Sequence, residues 1–170
     1  MGDSIFLCGL SGSGKSTVAP LLAERLGYDA LDTDVMIVAE AGTPIDRIFA
    51  REGEAGFRER EAQAVAAACA CKRTVVALGG GALERDDSFE RVLAAGTLVF
   101  LDAPDDVLLA RLRGKGNEVR PMLGDPAAIP RLRARRIDRF RKAAITVDTS
   151  SLTAAEAADC IVSGRASLQR

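Results

Sequence analysis

The densest chemistry in the sequence lies near its start. Gly9-Leu10-Ser11-Gly12-Ser13-Gly14-Lys15-Ser16 has the spacing G-x-x-x-x-G-K-[ST], and Thr17 follows. Glycines let such a backbone curl with its N–H groups inward, and a helix starting at the lysine adds partial positive charge, so the loop wraps a chain of phosphates. Lys15 would reach the outer phosphates, and the Ser16 hydroxyl would ligate Mg²⁺. A Gly/Ser-rich turn that merely contains a lysine is the plain alternative. The apolar run Ile5–Cys8 before the loop and the helical pattern after it favour phosphate binding.

A second cluster is Asp32-Thr33-Asp34. Read as the end of an extended segment, it turns both carboxylates the same way, toward the C-terminal edge of a sheet. One could hold Mg²⁺ through water while the other accepts a proton from an acceptor hydroxyl; a helix N-cap plus a solvated charge fits the spacing equally well. The chain has no histidine. That excludes Ser-His and Cys-His nucleophilic catalysis and any histidine base, and leaves carboxylates, Lys, Arg, backbone amides and a metal ion. Phosphoryl transfer suits this inventory, because it needs positioning and charge stabilisation above all.

The four cysteines, Cys8, Cys69, Cys71 and Cys160, form no Cys-x-x-Cys pair. A zinc site and a disulfide framework are both disfavoured, and reduced, mostly buried thiols in a cytoplasmic protein are expected. With 170 residues and a net charge of −1, one domain with no general attraction to nucleic acid or membrane is expected. No apolar run suggests a membrane helix or a signal peptide, and a monomer is expected.

The elements that must position these groups alternate between strand and helix. Strands are predicted at Ile5–Cys8, Ala30–Asp32, Val75–Leu78, Leu98–Leu101 and Ile145–Val147. Helices are predicted over about 15–26 with Gly27 as C-cap, from a capping-box-like start at Thr43, Pro44 and Asp46, and over 54–71. Others are predicted near 89–94, 104–113 and 127–143, with a final helix capped by Thr153 and Glu156. This order argues for right-handed βαβ units: a single α/β domain over 1–170, its parallel sheet flanked by helices.

Taken together, the chain strongly resembles shikimate kinase. The resemblance runs from the P-loop through Asp32-Thr33-Asp34, Gly53-Glu54, Phe57-Arg58, Glu61, Gly79-Gly80-Gly81 and Arg120-Pro121-Met122-Leu123 to Arg136 and Val147-Asp148-Thr149. It implies a five-stranded parallel sheet of the nucleoside monophosphate kinase type, with an acceptor region at about 33–61 and a mobile lid at about 114–125. It also implies transfer of the ATP γ-phosphoryl group to the 3-hydroxyl of shikimate, a step toward chorismate and the aromatic amino acids. By the same resemblance Asp34 is the candidate base and contacts the acceptor hydroxyls, and Asp32 is the acid near Mg²⁺. Lys15 and Arg120 complete the catalytic set. Arg58 and Arg136 hold the acceptor carboxylate, and Gly79, Gly80 and Gly81 form the loop against the acceptor. Gly12, Ser13, Gly14, Lys15, Ser16 and Thr17 bind nucleotide; Arg120 closes over the phosphates, and Arg113 lies beside adenine.

Physical chemistry suits each role. Guanidinium forks take carboxylates in two-point contacts, and a run of glycines lets backbone approach a ligand. Plainer roles exist: Arg58 could pair with Glu54, Glu59 or Glu61 on a helix surface, Gly79–Gly81 could be a simple turn, and Arg120 an ordinary loop charge. The basic run from Arg131 to Lys142 could bind nucleic acid, but a largely solvated face with Arg136 turned inward fits the apolar spacing better. The sequence departs from the family after Arg136, where Ile137-Asp138-Arg139-Phe140 replaces the usual x-Pro-Leu-Tyr, and at Ser150-Ser151-Leu152-Thr153 near the adenine. A gluconate-kinase-like enzyme and an inactive nucleotide-binding homologue are the alternatives.

Overall fold

The computed structural model describes residues 3–114, 125 and 127–168. The most apolar stretch, β1 (Ser4–Cys8), is buried along its whole length, as expected of a strand covered on both faces. It pairs in parallel with β3 (Thr74–Ala77) on one side and β4 (Gly96–Asp102) on the other. Outside them lie β2 (Asp29–Asp32) and β5 (Ile145–Asp148), giving the order β2-β3-β1-β4-β5 with every pairing parallel. The register aligns Leu7 with Ala77, Asp32 with Ala77, Cys8 with Phe100, and Asp102 with Asp148. All five strands therefore end at one edge. There the chain reverses its direction of travel across the sheet, which is where open α/β sheets place ligands.

Two cores cover the sheet. Ile5, Leu7, Val75, Ala77, Val99 and Leu101 face α1 (Lys15–Leu26) and α7 (Ala154–Leu168). The alternate residues Phe6, Val76, Leu78, Leu98 and Phe100 face α3 (Ile45–Ala70), α4 (Asp86–Ala95), α5 (Asp105–Gly114) and α6 (Ala128–Phe140). Each fully buried large side chain contributes roughly 1.5–3 kcal/mol. Phe140, at the position of the expected tyrosine, is buried with its ring centroid 5.2 Å from that of Phe100.

Several expectations are corrected. Asp32-Thr33-Asp34 is not extended throughout: Asp32 ends β2 and caps α2 (Thr33–Ala41), its Oδ1 accepting from the Asp34 and Val35 amides at 2.9 and 3.3 Å. Helix α2 is the helix that the N-cap reading of Asp32 implies; its body carries no helical signal of its own, because Val35, Ile37 and Val38 are β-branched. The capping box at Thr43 does not form. Helix α3 starts at Ile45, so Pro44 holds the cap position and Asp46 falls one residue early for a reciprocal bond. Gly53, at φ 70°, breaks α3 just ahead of the boundary predicted at Glu54. The capping box at Thr153 and Glu156 does form, with bonds of 2.7 and 3.2 Å. The thiols are less buried than expected: Cys8 is buried and burial pushes it up to about 12, but Cys69 is half-buried, and Cys71 and Cys160 are exposed.

Among the described residues no helix is long and apolar enough to cross a membrane. The expected lid, including Arg120, falls outside the described residues except for Gly114 and Asp125.

Candidate active site

The phosphate-binding loop connects β1 to α1 at the centre of the sheet edge. Gly12 and Gly14 take φ of 87° and 99°, conformations that a side chain would strain. Gly14 is the N-cap of α1, and no side chain among the described residues caps that end, which leaves its first amides open to a ligand. The Lys15 ammonium is buried and donates to the Gly9 and Leu10 carbonyls at 2.9 and 3.1 Å, which holds it at the rim. Ser13 Oγ is buried with no hydrogen-bond partner among the described residues. Ser16 donates to Asp32 Oδ2 at 2.6 Å, joining the start of α1 to the end of β2. Asp32 is therefore both the cap of α2 and the partner of the loop hydroxyl, which is the capping reading of its spacing.

Ser16 and Asp32 are hard oxygen donors placed beside a phosphate cradle. Mg²⁺ takes few protein ligands when phosphates and waters supply the rest, so this donor pair suits it. Among the described residues no group of three or more acids, cysteines or histidines could hold a metal without such help.

Beside the loop lies a cleft of about 380 Å³ lined by Gly12, Ser13, Gly14, Thr17, Arg111, Thr149 and Leu152. Arg111 donates to Thr149 Oγ1 at 3.0 Å, to the Thr149 carbonyl, to the Ser150 carbonyl at 3.4 Å and to the Gly12 carbonyl at 3.5 Å. Thr149 in turn donates to the Ser13 carbonyl at 3.3 Å. Arg113 is exposed on the last turn of α5; the arginine that lines the cleft is Arg111.

On the other side of the loop, Gly79, Gly80 and Gly81 follow β3 as three consecutive contact points. A Cβ on Gly79 would stand 2.6 Å from Asp34 Oδ1 and 3.0 Å from Glu61 Oε1. One on Gly80 would stand 3.2 Å from Arg136 Nη1 and 3.8 Å from Ser11 Oγ of the phosphate loop; one on Gly81 would run into Arg58 Nη1. Thus Asp34, Arg58 and Arg136, from α2, α3 and α6, converge on one turn beside the P-loop. A side chain at Gly79 or Gly81 would displace Asp34 or Arg58 from its present place, and one at Gly80 would press on Arg136 Nη1. The Gly79 amide is fixed by Thr33 Oγ1 at 2.8 Å, which ties this turn to the start of α2.

The charges are paired. Arg58 donates to Glu61 at 2.6 Å and lies 3.5 Å from Glu54. Burial would lower the Arg58 pKa, but Glu61 outweighs it and raises it. Burial raises the Glu61 carboxyl in spite of Arg58, and lowers Arg136 in spite of Glu84. Arg136 is 8 % exposed and turned inward, as expected. The rest of the basic run is largely engaged: Arg131 with Asp125, Arg133 with Asp102 and Asp105, Arg135 with Glu84, and Arg139 with Asp86. Glu84 and Arg111 had no signature in the sequence. Glu61 stood three residues after Arg58, a helical ion-pair spacing, but spacing does not say which way a pair faces.

The family model for shikimate kinase matches residues 11–164. The chain belongs to the shikimate kinase family. Shikimate kinase of Chlorobium chlorochromatii is 45 % identical over 158 residues, covering 86 % of this chain and 82 % of that one. That of Symbiobacterium thermophilum is 48 % identical over 131 residues, covering 77 % and 75 %. Among solved structures, the Acinetobacter baumannii shikimate kinase in complex with shikimate matches with a TM-score of 0.92 at 32 % identity, covering 99 % of this chain and 95 % of that one. A Sinorhizobium meliloti gluconokinase, at 21 % identity and TM-score 0.64, covering 97 % and 92 %, shares the fold. Shikimate kinases are ATP-dependent enzymes, and the fold expected of the family is the fold observed.

Proposed function

We propose that this chain phosphorylates the 3-hydroxyl of shikimate with ATP and Mg²⁺, as a cytoplasmic monomer serving aromatic amino acid biosynthesis. The observation that carries the reading is the convergence of one carboxylate and two arginines on Gly79–Gly81, next to the phosphate loop. The pairing of Asp34 with a hydroxyl, and of Arg58 and Arg136 with a carboxylate, matches a hydroxy acid as acceptor.

In this mechanism the Gly12–Thr17 amides and Lys15 hold the β- and γ-phosphates, while Arg111 and Thr149 set the width of the nucleotide cleft. Arg113, exposed on the last turn of α5 and outside the lining of the cleft, would lie beside the base at its outer side. Ser16 and Asp32 would hold Mg²⁺, which when bound offsets phosphate charge. Arg58 and Arg136 orient the acceptor by its carboxylate, and Asp34 receives the proton of the attacking hydroxyl. Arg120, which lies outside the described residues, would add positive charge to the transferring group.

A coupled ADP-release assay with shikimate, quinate and gluconate tests the acceptor: turnover should be fastest with shikimate, and a preference for gluconate overturns the reading. Asp34→Asn should lower kcat by roughly a hundredfold or more, the range of a general base, with KM for ATP nearly unchanged. An unaltered kcat would move the base role elsewhere.

A further inference from the structure

Both arginines of the acceptor site meet the acceptor already bonded to carboxylates of the chain itself. For Arg136 that partner is Glu84, in the turn between Gly81 and α4. Glu84 Oε1 accepts from Arg136 Nε at 2.7 Å and lies 2.6 Å from Nη2, while Oε2 accepts from Arg135 Nη2 at 2.6 Å. A guanidinium offers N–H pairs on more than one edge. Glu84 takes the lateral edge, Nε with Nη2. The terminal edge remains, and its Nη1 is the atom beside Gly80.

The contact is charge-assisted. Partial burial pushes the Glu84 carboxyl up, but the hydrogen bond from Arg136 and the charges of Arg136, Arg58 and Arg135 outweigh it and hold the carboxyl below the usual glutamate range. Arg135 holds the second oxygen, so Glu84 is fixed from both sides. A long arginine side chain would otherwise sample several rotamers, and each wrong one presents the wrong edge.

We propose that Glu84 is a positioning residue for acceptor recognition: it grips Arg136 by its lateral edge, so that the terminal pair of nitrogens is aimed at an anionic group of the acceptor lying against Gly80. This rests on the carboxylate-clamp reading above. Glu84 does not touch the acceptor; it decides which edge of Arg136 does.

The test compares shikimate with its methyl ester, which keeps every ring hydroxyl and lacks the charge, in wild type and in Glu84→Ala, by steady-state ADP release. Wild type should prefer the acid strongly. In Glu84→Ala the KM for the acid should rise about tenfold, the loss expected for one misdirected charge-assisted contact. Its kcat and KM for ATP, and all constants for the ester, should hold, so the acid-over-ester preference shrinks by that factor. Glu84→Gln, whose amide oxygen still accepts from Nε, should recover much of the preference. Should Glu84→Ala fail to fold, Glu84→Asp, which withdraws the carboxylate by one methylene, carries the same comparison. A wild type that uses ester and acid equally would overturn the clamp itself. A wild type that discriminates, with a variant that discriminates equally well, loses both substrates in parallel or binds the acid more tightly, would overturn the positioning role alone.

Discussion

Glu61 is the side chain where burial and charge oppose each other most directly. It is 4 % exposed, bonded to Arg58, and close to the charge of Asp34. Burial is the largest influence and raises its pKa above the ordinary 4.5, so the folded state holds its proton more tightly than the unfolded chain does. The stability this supplies is fully present below the ordinary value and is lost as pH rises through the raised one. Glu61→Gln has no such titration. Its melting temperature relative to wild type should therefore climb as pH is raised through that window and level off above it, as measured by thermal unfolding across a pH series. A constant difference would mean that Arg58 cancels the burial. At this scale the sequence was legible in residue types and less so in direction. Arg58, Asp34 and Arg136 gather around three consecutive glycines. That Arg58 would face Glu61 rather than Glu59 depends on how α3 packs, which no local pattern records.

The element that ties together the cleft proposed for the nucleotide is α5, through Arg111. Its guanidinium reaches the loop after β5 and the Gly12 carbonyl of the P-loop at once. Arg111→Leu should raise KM for ATP by roughly tenfold or more, as several hydrogen bonds to carbonyls are lost, while KM for the acceptor stays close to wild type. Arg111→Lys should recover little, because one ammonium cannot span carbonyls from two loops. Initial-rate measurements with each substrate varied separately decide this; equal changes in both KM values would show general loosening instead. Long, periodic helices such as α1 and α6, and the apolar strands, were readable from the chain itself. Helix α2 was readable only at its start, where Asp32 caps it, since its β-branched residues suit a strand as well. Arg111 lay hidden for a related reason: α5 and the residues it holds, Thr149 and Ser150, are joined only by tertiary packing.

At the scale of the molecule, β1 is the shared wall of both cores, its odd and even residues facing opposite layers. Leu7→Ala in this strand should cost about 2–5 kcal/mol, the range for truncating a fully buried leucine, read as a lower urea midpoint with a nearly constant slope. A cost below about 1 kcal/mol would mean that the layer collapses readily around the gap. The strand order also sets the two proposed substrate sites apart. On that reading nucleotide contacts come from the β1 loop, α5 and the loop after β5, and acceptor contacts from the ends of β2 and β3 with α2 and α3, on the other flank of β1. Arg136, delivered across that divide by α6, is an exception. On the proposed function, donor and acceptor recognition are inherited as two nearly separate sets of codons, and substitutions within about 33–84 would retune which alcohol is accepted while the phosphate machinery stays as it is. A change of acceptor must then be matched at one distant position, the arginine reached from α6.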